Sequence, residues 1–209
     1  MFSLQRLFTR SDKFYDLLEA GADEARQAVA ALIGLLRSPQ DGQDLEEFIL
    51  RRRHTKRISE QITALVCSTF VTPLEREDIE ALSAALYKIP KIVGKFGEHL
   101  FLSRSYVRAE LFSQQATLIE QAADTVCQMV CQLRRRPQLD KIKEDNDRLH
   151  HLEGEADKVI LNLLRDLYSG KYEALHAIVL RDLYELLEKV IDRCRDAGNI
   201  VFQIMLKNA

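Results

Sequence analysis

The fold of this chain is decided by the stretch Leu149–Ile160, LHHLEGEADKVI. Glu153 and Asp157 are four residues apart within a strongly helical run. At 3.6 residues per turn, this spacing places both carboxylates on one face of a helix, one above the other. The last helical run has the same arrangement, with Glu188 and Asp192 four residues apart. Two antiparallel helices with these faces together would offer four carboxylates to one cation.

The composition favours helices throughout the chain. The 209 residues include only 8 Gly and 4 Pro, and 30% are charged. Few helix breakers and many Leu, Ala, Glu, Lys and Arg residues are typical of long helices. The formal net charge of −2 argues against a general nucleic-acid binder. No signal peptide or membrane span is evident, so we expect a cytoplasmic protein with reduced cysteines.

Apolar residues at helical spacing predict six long helices and no strand. The first run is 13–36, and turn signals follow it at Ser38-Pro39 and Asp41-Gly42. The second is 44–70, and the third begins after Thr72, which we expect to cap it. The other three are predicted at 103–133, 139–168 and 172–206, and Gly170 should follow the end of the fifth.

The two halves of the sequence repeat each other. A shift of 101 residues aligns the chain with itself almost without gaps, and it pairs Asp23 with Asp124 and Gly97 with Gly198. We therefore predict an all-α protein of two tandem antiparallel three-helix bundles, residues 1–102 and 103–209. Short connections make consecutive helices antiparallel neighbours within each bundle.

The repeat also shows that the acidic residues lie only in the second copy. In the shifted register, Glu153 and Asp157 correspond to Arg52 and Lys56. Glu188 corresponds to Tyr87, and Asp192 to Lys91. The first copy could therefore bind an anion such as phosphate, through the following residues: Arg52, Arg53, Lys56 and Lys91.

Four carboxylates without nitrogen or sulfur ligands favour a hard metal ion. Mg, Ca, Mn or iron would suit Glu153, Asp157, Glu188 and Asp192. Inward-facing carboxylates of this kind hold metals in ferritin-like bundles. The alternative is that both pairs occur by chance in charged helices and face water. His150, one turn before Glu153, could add a nitrogen ligand.

Four features together resemble the PhoU-like family, in particular its branch that accompanies Pit-type inorganic phosphate transporters. These features are the Phe70–Ile79 stretch FVTPLEREDI, the segments Leu152–Asp157 and Leu187–Asp192, and the tandem repeat. The resemblance implies a six-helix protein that regulates phosphate uptake through contacts with partners. It also implies that the acidic pairs bind iron or another metal. In this sequence the family's acidic motif is present only at the four acidic residues of the second copy.

We therefore expect a cytoplasmic, metal-binding regulator or accessory of a Pit-type phosphate transporter. It would lie at the inner membrane through that partner, form a homo-oligomer, bind no nucleic acid and catalyse no reaction. Two other interpretations stay open, a helical adaptor without metal and an enzyme with a carboxylate-bridged metal. No nucleophile–base pair or phosphate-binding glycine loop supports the enzyme.

Overall fold

The computed structural model describes residues 4–37, 45–107, 109–135 and 139–208, which form an all-α bundle. Over these residues there are six long helices, which are listed here in chain order: α1 (Leu4–Arg37), α2 (Leu45–Ser68), α3 (Arg76–Leu102), α4 (Ser113–Gln132), α5 (Leu139–Leu167) and α6 (Ala174–Lys207). The predicted turns at Ser38-Pro39 and Asp41-Gly42 lie outside the described residues.

Contacts between distant segments fix the directions of the helices. The Lys207 ammonium at the end of α6 binds Asp78 at the start of α3, at 2.9 Å, so these two helices are antiparallel. Arg134, just after α4, hydrogen-bonds through Nε to Glu19 of α1 at 3.0 Å. The helices that pair between the two halves are therefore α1 with α4 and α3 with α6.

One hydrophobic core contains residues from all six helices. Its fully buried side chains include Leu18, Ile62, Ile79, Ile119 and Val190, which come from five of them. Because α1, α3, α4 and α6 meet in this core, the two predicted bundles are halves of one unit. The boundary predicted at residue 102 coincides with the end of α3.

Three helix beginnings differ from the prediction. Helix α1 begins at Leu4, before the start predicted at residue 13. Thr72 does not cap α3, because its hydroxyl donates to the carbonyl of Leu74 at 2.7 Å and the helix begins only at Arg76. The helix predicted from residue 103 begins at Ser113, after two 3₁₀ turns, Arg104–Tyr106 and Ala109–Phe112. The Phe112 ring is fully buried, so the second 3₁₀ turn finishes with a side chain in the core.

Gly170 has the role that the sequence predicts. It lies three residues after the end of α5, and its φ of +83° is in the left-handed region. Glycine enters this region without the steric cost that a Cβ would bring. The tight turn there returns the chain at once into α6, so α5 and α6 pack side by side.

Candidate functional site

The four predicted carboxylates lie along the interface between α5 and α6. These helices are antiparallel, since His150 contacts Asn199 at 2.9 Å and the Arg195 guanidinium hydrogen-bonds to Glu153. In this register Asp157 of α5 lies opposite the turn of α6 that carries Glu188 and Asp192. All four carboxylates are half-buried. Each pair thus lies on the side of its helix that borders this interface, and the metal site itself stays a prediction.

Negative charge accumulates on one side of this interface. Burial raises the pKa of Glu188, and the charges of Asp192, Asp157 and Glu185 raise it further. The ammonium of Lys189 opposes them only weakly. A carboxyl group whose charged form is disfavoured in this way would be stabilised by any cation that came close to it. We call Glu153, Asp157, Glu188 and Asp192 the acidic cluster.

Arg195 is part of this cluster, and the sequence analysis missed it. Its guanidinium hydrogen-bonds to Glu153, lies 3.8 Å from Asp192 and reaches Asp196 at 3.2 Å. Burial opposes its charge, but the bond to Asp196 and the charges of Glu153 and Asp192 outweigh this, so the pKa of Arg195 is raised. Its position three residues after Asp192 was a signal in the sequence that it could reach the same face.

The acidic cluster has the donor chemistry of a hard-cation site, with one restriction. Carboxylate oxygens are the ligands that Mg, Ca, Mn and ferric iron prefer. Across the described ranges, however, no three or more His, Cys, Asp or Glu side chains are grouped closely enough to hold a metal as they stand. The guanidinium of Arg195 is hydrogen-bonded to Glu153, so a cation that bound this carboxylate would have to displace the guanidinium.

His150 is not directed at the cluster. Its Nε2 atom pairs with the side-chain oxygen of Asn199, and the residue is exposed on the surface of α5. It therefore binds across the α5–α6 interface one turn away from Glu153. A ligand role for His150 is not supported by this geometry.

Three of the four predicted anion contacts lie together in the first half. Arg52, Arg53 and Lys56 of α2 line one surface cavity with a volume of 220 Å³. Tyr87 and Gly94 of α3 form part of its opposite wall. Lys91 is exposed but does not line this cavity. We call this cavity the basic pocket.

Arg51, which precedes the predicted contacts, faces α1 instead of the pocket. Its guanidinium lies 3.4 Å from Glu24 and 3.6 Å from Glu47 and hydrogen-bonds to Gln27 of α1. Consecutive helical residues point about 100° apart, which follows from 3.6 residues per turn. Arg51 thus contributes to the α1–α2 contact, whereas Arg52 is free to face the basic pocket.

Two glycines show that the halves pack in the same register. A Cβ on Gly97 would lie 3.0 Å from the ring of Phe48, and one on Gly198 would lie 2.1 Å from Leu149 Cδ1. The 101-residue shift pairs these glycines with each other, and it also pairs Phe48 with Leu149. In both halves, therefore, a glycine of the third helix accepts the corresponding apolar side chain of the second. The internal repeat itself stays a prediction.

Within the described residues, no helix combines the length and apolar composition that crossing a membrane requires.

Two known proteins are similar to this chain in sequence. No protein-family model matches the chain. A protein of Rhizobium meliloti (strain 1021) assigned as a pit accessory protein is 24% identical over 217 aligned positions, which cover 98% of this chain and 97% of the relative. The UPF0111 protein YkaA of Bacillus subtilis (strain 168) is 24% identical over 140 positions, 67% of this chain and 68% of that protein.

Two solved structures that resemble the chain are PhoU-like proteins. The crystal structure of a PhoU-like protein from Shewanella oneidensis MR-1 superposes with a TM-score of 0.79 at 14% identity, and it covers 93% of this chain and 99% of that one. A second protein of the same organism, assigned as a PhoU-like phosphate regulatory protein, has a TM-score of 0.70 at 15% identity with the same coverage. The chain therefore has the PhoU-like fold.

Proposed function

We propose that the chain is an accessory protein of inorganic phosphate transport, and that it regulates a Pit-type transporter by direct contact. The observation that carries the proposal is the relative assigned as a pit accessory protein, which matches this chain over nearly the full length of both. The PhoU-like fold, shared with a structure assigned as a phosphate regulatory protein, supports it. The chain then acts on the cytoplasmic side of the inner membrane, as a homo-oligomer and without catalysis.

The test is phosphate uptake by a Pit-type transporter in cells that lack their own phosphate uptake systems. Radiolabelled phosphate uptake is measured with the transporter alone and with this chain present. We expect the initial rate to change when the chain is present, and the chain to be recovered with detergent-solubilised transporter. An unchanged rate together with no co-purification would refute the proposal.

We further propose that the acidic cluster binds a hard metal ion, such as iron, Mn, Mg or Ca. The support comes from the half-buried position of Glu188 beside Asp192 and Asp157, where burial first and these negative charges second raise its pKa. A metal ion there would supply positive charge in place of Arg195 and join α5 to α6. Arg195 would then be released from Glu153 and become available at the surface.

Binding of Mn²⁺ to metal-free protein, measured by calorimetry, tests this second proposal. The variant Glu188→Gln/Asp192→Asn should lose binding, whereas Arg195→Gln should strengthen it because a competing cation is removed. A matched control is Glu77→Gln/Glu80→Gln, which removes two exposed carboxylates from α3, away from the cluster. Equal binding by all four proteins would show that the cluster is not the site.

A metal-free adaptor is the second candidate function, and one contact favours it. Arg195 already balances the charge of Glu153 and reaches toward Asp192. A cluster that is neutralised by its own arginine can be a structural element of the α5–α6 interface. The adaptor interpretation requires that Mn²⁺ and Fe²⁺ leave the stability of the protein unchanged, while uptake still depends on the chain.

A further inference from the structure

The basic pocket lies between α2 and α3 and opens to the surface. Arg52, Arg53 and Lys56 supply positive charge, and Tyr87 supplies a hydroxyl group. Glu98 is the acidic residue among those that line it. The volume of 220 Å³ is below the range of roughly 300–1,000 Å³ that is typical of pockets for drug-sized ligands. The cavity thus suits a small group rather than a large ligand.

The two halves differ at one position that lines the pocket, where α3 has a glycine and α6 has an arginine. In the 101-residue register Gly94 corresponds to Arg195, whose side chain lies among the carboxylates of the acidic cluster. A Cβ built on Gly94 meets no atom within 4 Å. The same position is therefore filled in the second half and open in the first.

The cations of the pocket have little neutralising charge among the described residues. Within the described part of the chain, Arg52 and Arg53 have no ion pair. Lys56 lies 3.7 Å from Glu60, but both side chains are about two-thirds exposed, and such pairs contribute little. Three cations against the carboxylate of Glu98 leave two formal positive charges. The neighbouring Arg51, in contrast, is paired with Glu24 and Glu47.

We propose that the basic pocket binds a phosphate group. Two guanidinium groups, an ammonium and a phenolic hydroxyl offer more donors than the two oxygens of a carboxylate can accept, whereas a phosphate has three or four oxygens. A phosphate monoester carries a charge of about −1.5 to −2 at neutral pH, which matches the excess charge of the pocket. The apolar side chains of Phe48 and Ile49 complete its wall.

The phosphate group can come from two sources, inorganic phosphate or the headgroup of an anionic lipid. Ile49 and Leu50, beside the pocket, are exposed apolar side chains, as are Phe101 and Leu102 at the end of α3. Inorganic phosphate would occupy the pocket alone. A lipid headgroup would bring these apolar residues to the membrane surface as well. The test of this site does not depend on the proposed transport role, because binding is measured on the isolated chain.

Binding is tested with two probes on the full-length protein. The first is inorganic phosphate, followed by calorimetry, with sulfate as a comparison. The second is a suspension of phosphatidic acid and phosphatidylcholine vesicles, whose acidic headgroup is a phosphate monoester, followed by co-sedimentation, with pure phosphatidylcholine as its blank. Binding of phosphate in solution identifies the free ion as ligand, and binding only to the mixed vesicles identifies the headgroup.

Three variants separate the pocket from general surface charge. Arg52→Gln/Lys56→Gln removes two donors and should weaken binding about tenfold or more. Gly94→Leu fills the open space without a change in charge and should weaken binding equally. The control Arg57→Gln/Lys88→Gln removes the same charge from exposed positions of α2 and α3 that do not line the pocket, and should retain most of the affinity.

Circular dichroism confirms that each variant is folded before it is compared. The proposal is overturned if neither probe binds the unaltered protein. It is also overturned if the control variant loses as much affinity as Arg52→Gln/Lys56→Gln, since binding would then reflect net charge. Full binding by a folded Gly94→Leu protein would place the ligand outside the pocket, with the same consequence.

Discussion

Substitution of Gly198 by alanine tests the close packing of α5 against α6. The added Cβ would lie 2.1 Å from Leu149 Cδ1 and 3.5 Å from Met129 Sδ. Both of these side chains are buried, with 1% and 0% exposure, so neither can turn into solvent. Either Leu149 leaves its rotamer or the two helices move apart, and such overpacking costs about 1–3 kcal/mol.

The expected net effect is a loss of stability despite the better helix propensity of alanine. Alanine in place of glycine gains about 1 kcal/mol in a helix interior. Because the approach at Gly198 is so short, we take the upper end of the overpacking range and expect a net loss of about 2 kcal/mol. Urea denaturation followed by circular dichroism measures it as a lower midpoint at constant slope.

Gly154 provides the matched control within the same helix pair. It lies in the interior of α5, and a Cβ there meets no atom within 4 Å. Gly154→Ala should therefore raise the free energy of unfolding by about 1 kcal/mol. If Gly198→Ala also stabilises the protein, the reasoning from the close approach is refuted. A partial rescue of Gly198→Ala by Leu149→Val would identify the clash directly.

Three further predictions concern side chains elsewhere in the bundle. Because the pKa of Glu188 is raised in the fold, the free energy of unfolding should fall as pH rises from about 4.5 through that pKa, and Glu188→Gln should remove this part of the slope in urea titrations at several pH values. Exposed Cys67 should react with a thiol reagent in the native protein, whereas Cys194, which is buried and has a pKa of about 12, should react only after unfolding. Asp145→Ala should cost about 1–3 kcal/mol in thermal or urea unfolding, because the buried carboxylate accepts a hydrogen bond from Gln132 at 2.9 Å.

The fold was largely predictable because helical periodicity is long-range and repeated in this chain. Each of the six helices overlaps the run of apolar residues that predicted it, and Gly170 lies in the turn after α5 as expected. The errors are at helix beginnings. Thr72 and Leu74 form a local turn that competes with a cap, and Phe112 packs edge-on against Phe96 and Tyr184. Local propensity does not reveal such tertiary contacts.

The sequence predicted which helix faces carry the acidic residues, but it did not predict which side chains these residues contact. The spacing of Glu153 and Asp157 sufficed to place them on one side of α5. It did not show that Arg195 would turn toward Glu153, because a long side chain can reach several partners from one helical position. The sequence also did not separate Arg51 from Arg52, since they lie three and four residues after Phe48 and both spacings fall on one face of a helix.

The opposite charges at corresponding positions have a consequence for the function of the two halves. Because Arg52 and Lys56 occupy the places of Glu153 and Asp157, one ion cannot bind in both halves of this chain. Charge alone would not distinguish a binding site from a solvated helix face. The two halves also differ in space: the position of Gly94 in the first half is open, whereas the side chain of Arg195 fills the corresponding position in the second. The first half therefore has both the charge and the room for an anion. The second half has the charge for a cation but must first displace its own arginine, so binding there would be coupled to a change at the α5–α6 surface.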